Sequence, residues 1–156
     1  MSRRRIGWRD LLGRAPSRGR VLVVDDENDV RRSVQRLVTQ LGYTVRAAAS
    51  AEEADHHLSS SAFDLCLLDI EMPRMKGLEF LEWALRRDPE MAVIMLTGVD
   101  LPEVAIECIE NGARTYLVKP VETDFLRLAL RDAMAMKTLL SERNDLAGRV
   151  RALGGP

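Results

Sequence analysis

Three carboxylates, a hydroxyl and an amine stand at the ends of four apolar runs: Asp25 and Asp26 after residues 21–24, Asp69 after 65–68, Thr97 after 93–96 and Lys119 after 116–118. Carboxylates gathered in one place repel, since unit charges 4 Å apart at an effective dielectric near 20 cost about 4 kcal/mol per pair. A hard divalent cation compensates best. Mg²⁺, with Mn²⁺ as an alternative, takes one or two carboxylates, waters and a phosphate in preference to an all-protein cage. With two acids holding the cation, Asp69 is free to act as a nucleophile toward a phosphoryl group. Lys119 would neutralise a second phosphoryl oxygen and Thr97 would offer its hydroxyl to a third, with Gly98 keeping the approach open. The bland alternative for Asp25-Asp26 alone is an acidic cluster favourable to a helix dipole.

These groups meet only if the apolar runs are strands with their carboxyl ends together. Residues 27–41 place Val30, Val34, Leu37, Val38 and Leu41 on one stripe of a helix that Gly42 stops. Residues 44–48 form a weaker strand, and Ser50 with Glu53 opens a helix over 51–58. Short apolar runs at 64–69, 92–97 and 115–119 predict strands buried on both faces. Helical patterns occupy 77–87 and 102–111, the second ended by Gly112. Five alternating units predict an α/β fold, a doubly wound five-stranded parallel sheet with right-handed crossovers and its ligand site at the carboxyl ends of the strands. A last helix begins near residue 122 and meets no breaker until Gly148, which interrupts the heptad positions of its tail. Its tail repeats Leu139, Leu146 and Leu153 with Met136, Arg143 and Val150. That is barely two heptads, and it reads as a weak dimer seam, a linker to an output domain or a frayed end.

The 156 residues, 46% apolar, suit one domain with tails: a basic, disordered leader over 1–19, the domain over 20–137 and a helical extension or linker over 138–156. The first twenty residues hold seven Arg against Asp10, so the net −1 divides into +6 there and −7 beyond. Trp8 alone makes no nucleic-acid platform beside those arginines, and a solubilising tail is the expectation. No apolar run approaches the ~18 residues of a membrane span, so a cytoplasmic protein without membrane contact is expected. Cys66 and Cys108 read as buried, reduced thiols, and His56 and His57 as solvated helix surface. The run Asp-Asp-Glu-Asn-Asp lacks the glycines of a nucleotide loop, which excludes Rossmann and P-loop readings.

From about Arg20 to Lys137 the chain resembles the receiver domain of bacterial two-component response regulators, marked by the acidic pair, the strand-end Asp, the Thr or Ser, and Lys-Pro. The resemblance implies a (βα)5, flavodoxin-like fold and Mg²⁺-dependent transfer of a phosphoryl group to Asp69 from a sensor histidine kinase or phosphotransfer protein. It implies that Asp26 and Asp69 bind the metal directly, that Asp25 acts through water and that the backbone carbonyl of Glu71 completes the shell. It also matches Met72-Pro73 and Gly77 to the loop after the phosphoacceptor, Tyr116 to an aromatic switch coupled to Thr97, and Lys119-Pro120 to a cis bond. Output would pass through the face made by the helix after Thr97, the last strand and the last helix, toward a downstream protein or a fused output domain. A homodimer through that face or through the last helix also fits. The 20 or so residues after the domain hold no helix-turn-helix and no room for one, so direct DNA binding is not expected. Glu71 and Val99 flank the path of the attacking water in this family and predict slow self-dephosphorylation. An enzyme in its own right is not expected. Two other classes remain: a phosphorylation-independent binding module, and a Mg²⁺-dependent aspartyl phosphatase of the haloacid dehalogenase type, whose motif order is the reverse of this one.

Overall fold

The computed structural model describes residues 17–72 and 77–154. The remainder of the leader, with Arg3, Arg4, Arg5, Arg9 and Arg14, lies outside the described residues, as does Pro73. Strands and helices alternate as β1 (Arg20–Val24), α1 (Asn28–Gln40), β2 (Thr44–Ala48), α2 (Ala51–Ser60), β3 (Leu65–Asp69), α3 (Gly77–Arg87), β4 (Ala92–Thr97), α4 (Pro102–Glu110), β5 (Thr115–Val118) and α5 (Thr123–Leu153). All strand pairs are parallel, in the order β2-β1-β3-β4-β5.

Successive strand side chains point to opposite faces, and both faces are covered. Leu22, Val24, Cys66, Leu68, Val93 and Met95 pack with Ala54 of α2, Phe80, Leu81 and Ala84 of α3 and Cys108 of α4. Val21, Val23, Leu65, Leu67, Ile94 and Leu96 pack with Val34 and Val38 of α1 and Leu126, Leu130 and Ala133 of α5. Each such Leu or Phe, fully buried, stabilises the fold by about 1.5–3 kcal/mol. Ser50 accepts the Glu53 N–H at 3.1 Å, so the side-chain cap of α2 forms as its sequence implies. Gly42 and Gly112 end α1 and α4 with φ of 100° and 101°, a backbone that other residues rarely adopt. Both cysteines are free and buried, and burial pushes the Cys66 thiol up to about 12.

Two expectations are corrected. Every residue of β5 is only half-buried, because β5 is the edge of the sheet and lacks a strand on its outer side. Gly148 does not interrupt α5: the helix runs unbroken to Leu153, and a β-carbon at Gly148 would meet nothing within 4 Å. An exposed helical Gly costs only about 1 kcal/mol relative to Ala, too little by itself to stop the helix. Leu139, Leu146, Val150 and Leu153 of α5 are all exposed. Among the described residues no helix is long and apolar enough to cross a membrane.

Candidate functional site

The strand order reverses between β1 and β3, since β1 leads outward to β2 while β3 leads the other way to β4 and β5. The crevice of such a sheet opens at that switch point, outside the carboxyl ends of the strands. Register brings the functional residues to its rim. Val24 pairs with Leu68, so Asp25 and Asp69 are the next residues on adjacent strands. Asp69 pairs with Leu96 and Thr97 with Val118, which sets Thr97 and Lys119 on the following positions. The Lys119 N–H donates to the Thr97 carbonyl at 2.8 Å, tying the ends of β4 and β5 together. The Lys119-Pro120 bond is cis.

Asp25, Asp69 and Thr97 each close the same local turn. Asp25 Oδ1 accepts the Glu27 N–H at 2.9 Å, Asp69 Oδ1 accepts the Glu71 N–H at 3.0 Å, and Thr97 Oγ1 accepts the Val99 N–H at 3.1 Å. Short polar side chains satisfy the backbone two residues ahead in this way, which fixes the loops and the side chains together. The turns occupy one oxygen of each carboxylate. The other oxygens, Asp25 Oδ2 and Asp69 Oδ2, are both buried without a hydrogen-bond partner, and Asp25 Oδ2 is ion-paired with Lys119 Nζ at 2.9 Å. Thr97 also donates to the Val99 carbonyl at 3.0 Å, so its hydroxyl is committed to its own turn.

Asp25, Asp69 and Thr97 are the buried polar residues of the described fold. Burial raises the Asp69 carboxyl to about 6; the neighbouring Asp25 charge adds to this, and the Glu71 N–H and Lys119 oppose it. Burial alone would lower the Lys119 ammonium, but Asp25 and Asp69 outweigh it and hold Lys119 above its ordinary value. The carboxylate oxygens of Asp25, Glu27 and Asp69 lie within 4.8 Å of one another, a spacing that suits a divalent cation. Asp26 is half-buried beside this cluster and is not one of its three members.

Glu27 is therefore the residue that the motif reading passed over. The signal was in the run Asp-Asp-Glu, but Glu27 reads there as one more acid at a helix start. It is the N-cap of α1, and its side chain makes no capping hydrogen bond. Arg31 was passed over as well; it donates to the Asp25 carbonyl and to Asn28 Oδ1 and braces the acidic loop. Gly77 presses on the strand that carries Asp69: a β-carbon there would stand 2.6 Å from the Asp69 carbonyl oxygen and from Ile70 Cα. Tyr116 is half-buried and lines an open groove of about 490 Å³ with Val118, Lys119, Pro120 and Phe125. Glu71 and Val99 are exposed at the rim.

The family described as response regulator receiver domain matches residues 21–131. AlgB of Pseudomonas aeruginosa, an alginate biosynthesis transcriptional regulatory protein, is 35% identical over 87% of the chain, which spans 30% of that relative. DctD of Rhizobium meliloti, a C4-dicarboxylate transport transcriptional regulatory protein, is 35% identical over 86% of the chain, which spans 29% of it. The solved CheY-like receiver domain protein of Methanospirillum hungatei superposes with a TM-score of 0.72 at 31% identity, covering 80% of this chain and 98% of that one. NtrX of Brucella abortus superposes with a TM-score of 0.79 at 33% identity, covering 82% of this chain and 30% of that one. The chain thus spans about a third or less of the curated relatives and covers nearly all of the solved CheY-like receiver domain protein. With the (βα)5 sheet and its acidic crevice, this shows that the chain belongs to the receiver domains of two-component response regulators.

Proposed function

We propose that this receiver accepts a phosphoryl group on Asp69 in a Mg²⁺-dependent reaction, with a sensor histidine kinase or phosphotransfer protein as donor. The observation that carries the reading is the buried Asp69 Oδ2, which has no hydrogen-bond partner and lies in a cluster of carboxylates with Lys119 beside it. Acids so placed fit a hard cation, and by the family's pattern Asp26, next to the cluster, and Asp69 would hold it directly, Asp25 through water, with the Glu71 carbonyl on a backbone pinned by its N–H to Asp69. When bound, the cation would supply positive charge between an incoming phosphate and the acids. The protein's own residues do the rest. Asp69 attacks phosphorus, the bond to the donor's leaving group breaks, and Lys119, 3.3 Å from Asp69 Oδ1, neutralises a phosphoryl oxygen.

Phosphorylation adds about −1.5 to −2 charge, and Thr97 is the neutral hydroxyl beside it. Turning to the phosphate would cost Thr97 its bonds to Val99. Tyr116 would then move in the groove next to Lys119, reshaping the face made by α4, β5 and α5. Exposed Leu101, Ile106, Ile109, Phe125 and Leu128 make that face a surface for a partner or a second copy. The relatives named as transcriptional regulators are about three times longer, so their outputs lie outside the segment matched here. A DNA-binding output fused beyond α5 accords with those names, against the expectation of no direct DNA binding. The site acts in the cytoplasm as an acceptor with its own slow chemistry, and residues 138–156 serve as the connection to the output.

The test is the intact mass of the protein after incubation with Mg²⁺ and acetyl phosphate. A gain of one phosphoryl group in the wild type, absent with EDTA and absent in Asp69→Asn, is expected. An equal gain in Asp69→Asn contradicts the assignment.

A further inference from the structure

The third carboxylate in the cluster is Glu27, and the acidic pair Asp25-Asp26 does not account for its being there. Its carboxylate lies within 4.8 Å of those of Asp25 and Asp69, although the side chain is 64% exposed. Three observations say that this carboxylate is available. It makes no capping bond to α1. It stands 3.9 Å from Lys119 Nζ, beyond hydrogen-bond distance, so the contact is a loose one between charges. Its backbone N–H is fixed by Asp25, so the stem of the side chain starts from a set position beside the crevice.

Asp25, by contrast, gives one oxygen to the Glu27 N–H and has the other paired with the Lys119 ammonium at 2.9 Å. Asp69 Oδ2, like Asp25 Oδ2, is buried without a hydrogen-bond partner, but the Lys119 ammonium stands against the Asp25 oxygen, so Asp69 Oδ2 is the less compensated acceptor of the same cluster. A cation on Asp69 would therefore meet a buried oxygen on one side and a solvent-side acid on the other. Mg²⁺ gives up its waters reluctantly and keeps several of them in sites of this kind. An acid at the solvent rim meets those waters before it meets the ion.

We propose that Glu27 is a positioning residue for the divalent cation, holding the ion's water shell from the solvent side while Asp69 binds from within. The proposal rests on the reading of this crevice as the Mg²⁺ site of the phosphoacceptor. The length of the Glu side chain is part of the claim. Aspartate at this position keeps the charge but is one methylene shorter and falls short of the water shell.

Calorimetric titration of Mg²⁺ into the full chain tests this in wild type, Glu27→Gln, Glu27→Asp and Asp69→Asn, with circular dichroism to confirm the fold of each. Both Glu27 variants should bind Mg²⁺ about tenfold more weakly, the lower end of what outer-shell partners of a metal contribute. Wild-type affinity in Glu27→Gln overturns the proposal. So does wild-type affinity in Glu27→Asp beside weakened binding in Glu27→Gln, because net charge alone would then be the cause. If Asp69→Asn binds Mg²⁺ as tightly as wild type, the cation is not in this crevice, and the reading beneath the proposal falls with it.

Discussion

The ammonium of Lys119 stands 2.9 Å from the fully buried carboxylate of Asp25, closer than the 3.3 Å that separates it from Asp69. From the end of β5 it reaches over β4 and β3 to the strand on the far side of the switch point. One cation thus serves two buried acids. Removing it leaves both uncompensated, and breaking a buried pair from one side costs about 3–5 kcal/mol. Lys119→Ala should lose stability at the lower end of that range in urea unfolding with EDTA, and Mg²⁺ should restore part of it. Unchanged stability without metal would mean that the acids are solvated and not held by Lys119.

The Asp69 carboxyl predicts a pH dependence of opposite sign to the common one. It ionises near 3.8 in an unfolded chain and at about 6 when folded. Between those values the folded state binds more protons, so metal-free stability falls as pH rises through the window. Asp69→Asn removes this effect. Its Tm in EDTA should exceed the wild type's at pH 7 by several degrees, with the gap closing as pH falls toward 4. A gap that does not depend on pH would assign the gain to something other than ionisation.

The exposed rim predicts how long the phosphoryl group stays. Glu71 Oε2 lies 3.7 Å from where a β-carbon of Gly98 would sit, so the acid leans over the loop that carries Val99. An anion and an apolar side chain there disfavour a water in line with the acyl phosphate. A Glu71→Asn, Val99→Ala double variant should lose its phosphoryl group several-fold faster by intact mass. An unchanged lifetime removes the idea.

At the opposite end of the sheet, α5 is held to the body well past its last buried residue, Ala133. Lys137 pairs with Asp64, which also accepts the Arg20 N–H at 2.8 Å, while Ser141 and Asn144 donate to Glu90 at 3.1 and 2.8 Å. Burial would raise Asp64, but the Lys137 and Arg20 bonds outweigh it, and the Asn144 and Ser141 bonds lower Glu90. Lowered carboxyls contribute stability that is complete above the unfolded values of 3.8 and 4.5 and is lost as pH falls through the folded ones. Glu90→Ala should speed amide hydrogen exchange over 141–153 at neutral pH and leave β3 and β4 unchanged. Acidification of the wild type should lower protection over the same residues relative to the intrinsic exchange rate at each pH.

Much of this was legible in the chain. The stripe of Val34 and Val38, the stops at Gly42 and Gly112 and the acids after apolar runs are local signals, and each names its own position. What was not legible depends on tertiary placement. Tyr116, Leu117 and Val118 read like a central strand, and only the sheet order makes β5 an edge. Gly148 is a breaker by propensity, yet the helix runs through it to Leu153. Glu27 looked like one more acid in a run, because its approach to Asp69 depends on a turn made by Asp25. Glu90 meets Ser141 and Asn144 from more than fifty residues away, beyond any local pattern.

The most direct test of the central claim locates the modified residue. Protein treated with Mg²⁺ and acetyl phosphate is reduced with borohydride, which converts an aspartyl phosphate to homoserine, and its peptides are sequenced by mass spectrometry. Homoserine at Asp69 alone is the predicted result. Homoserine at Asp25, Asp26 or another acid, with Asp69 intact, would contradict the account.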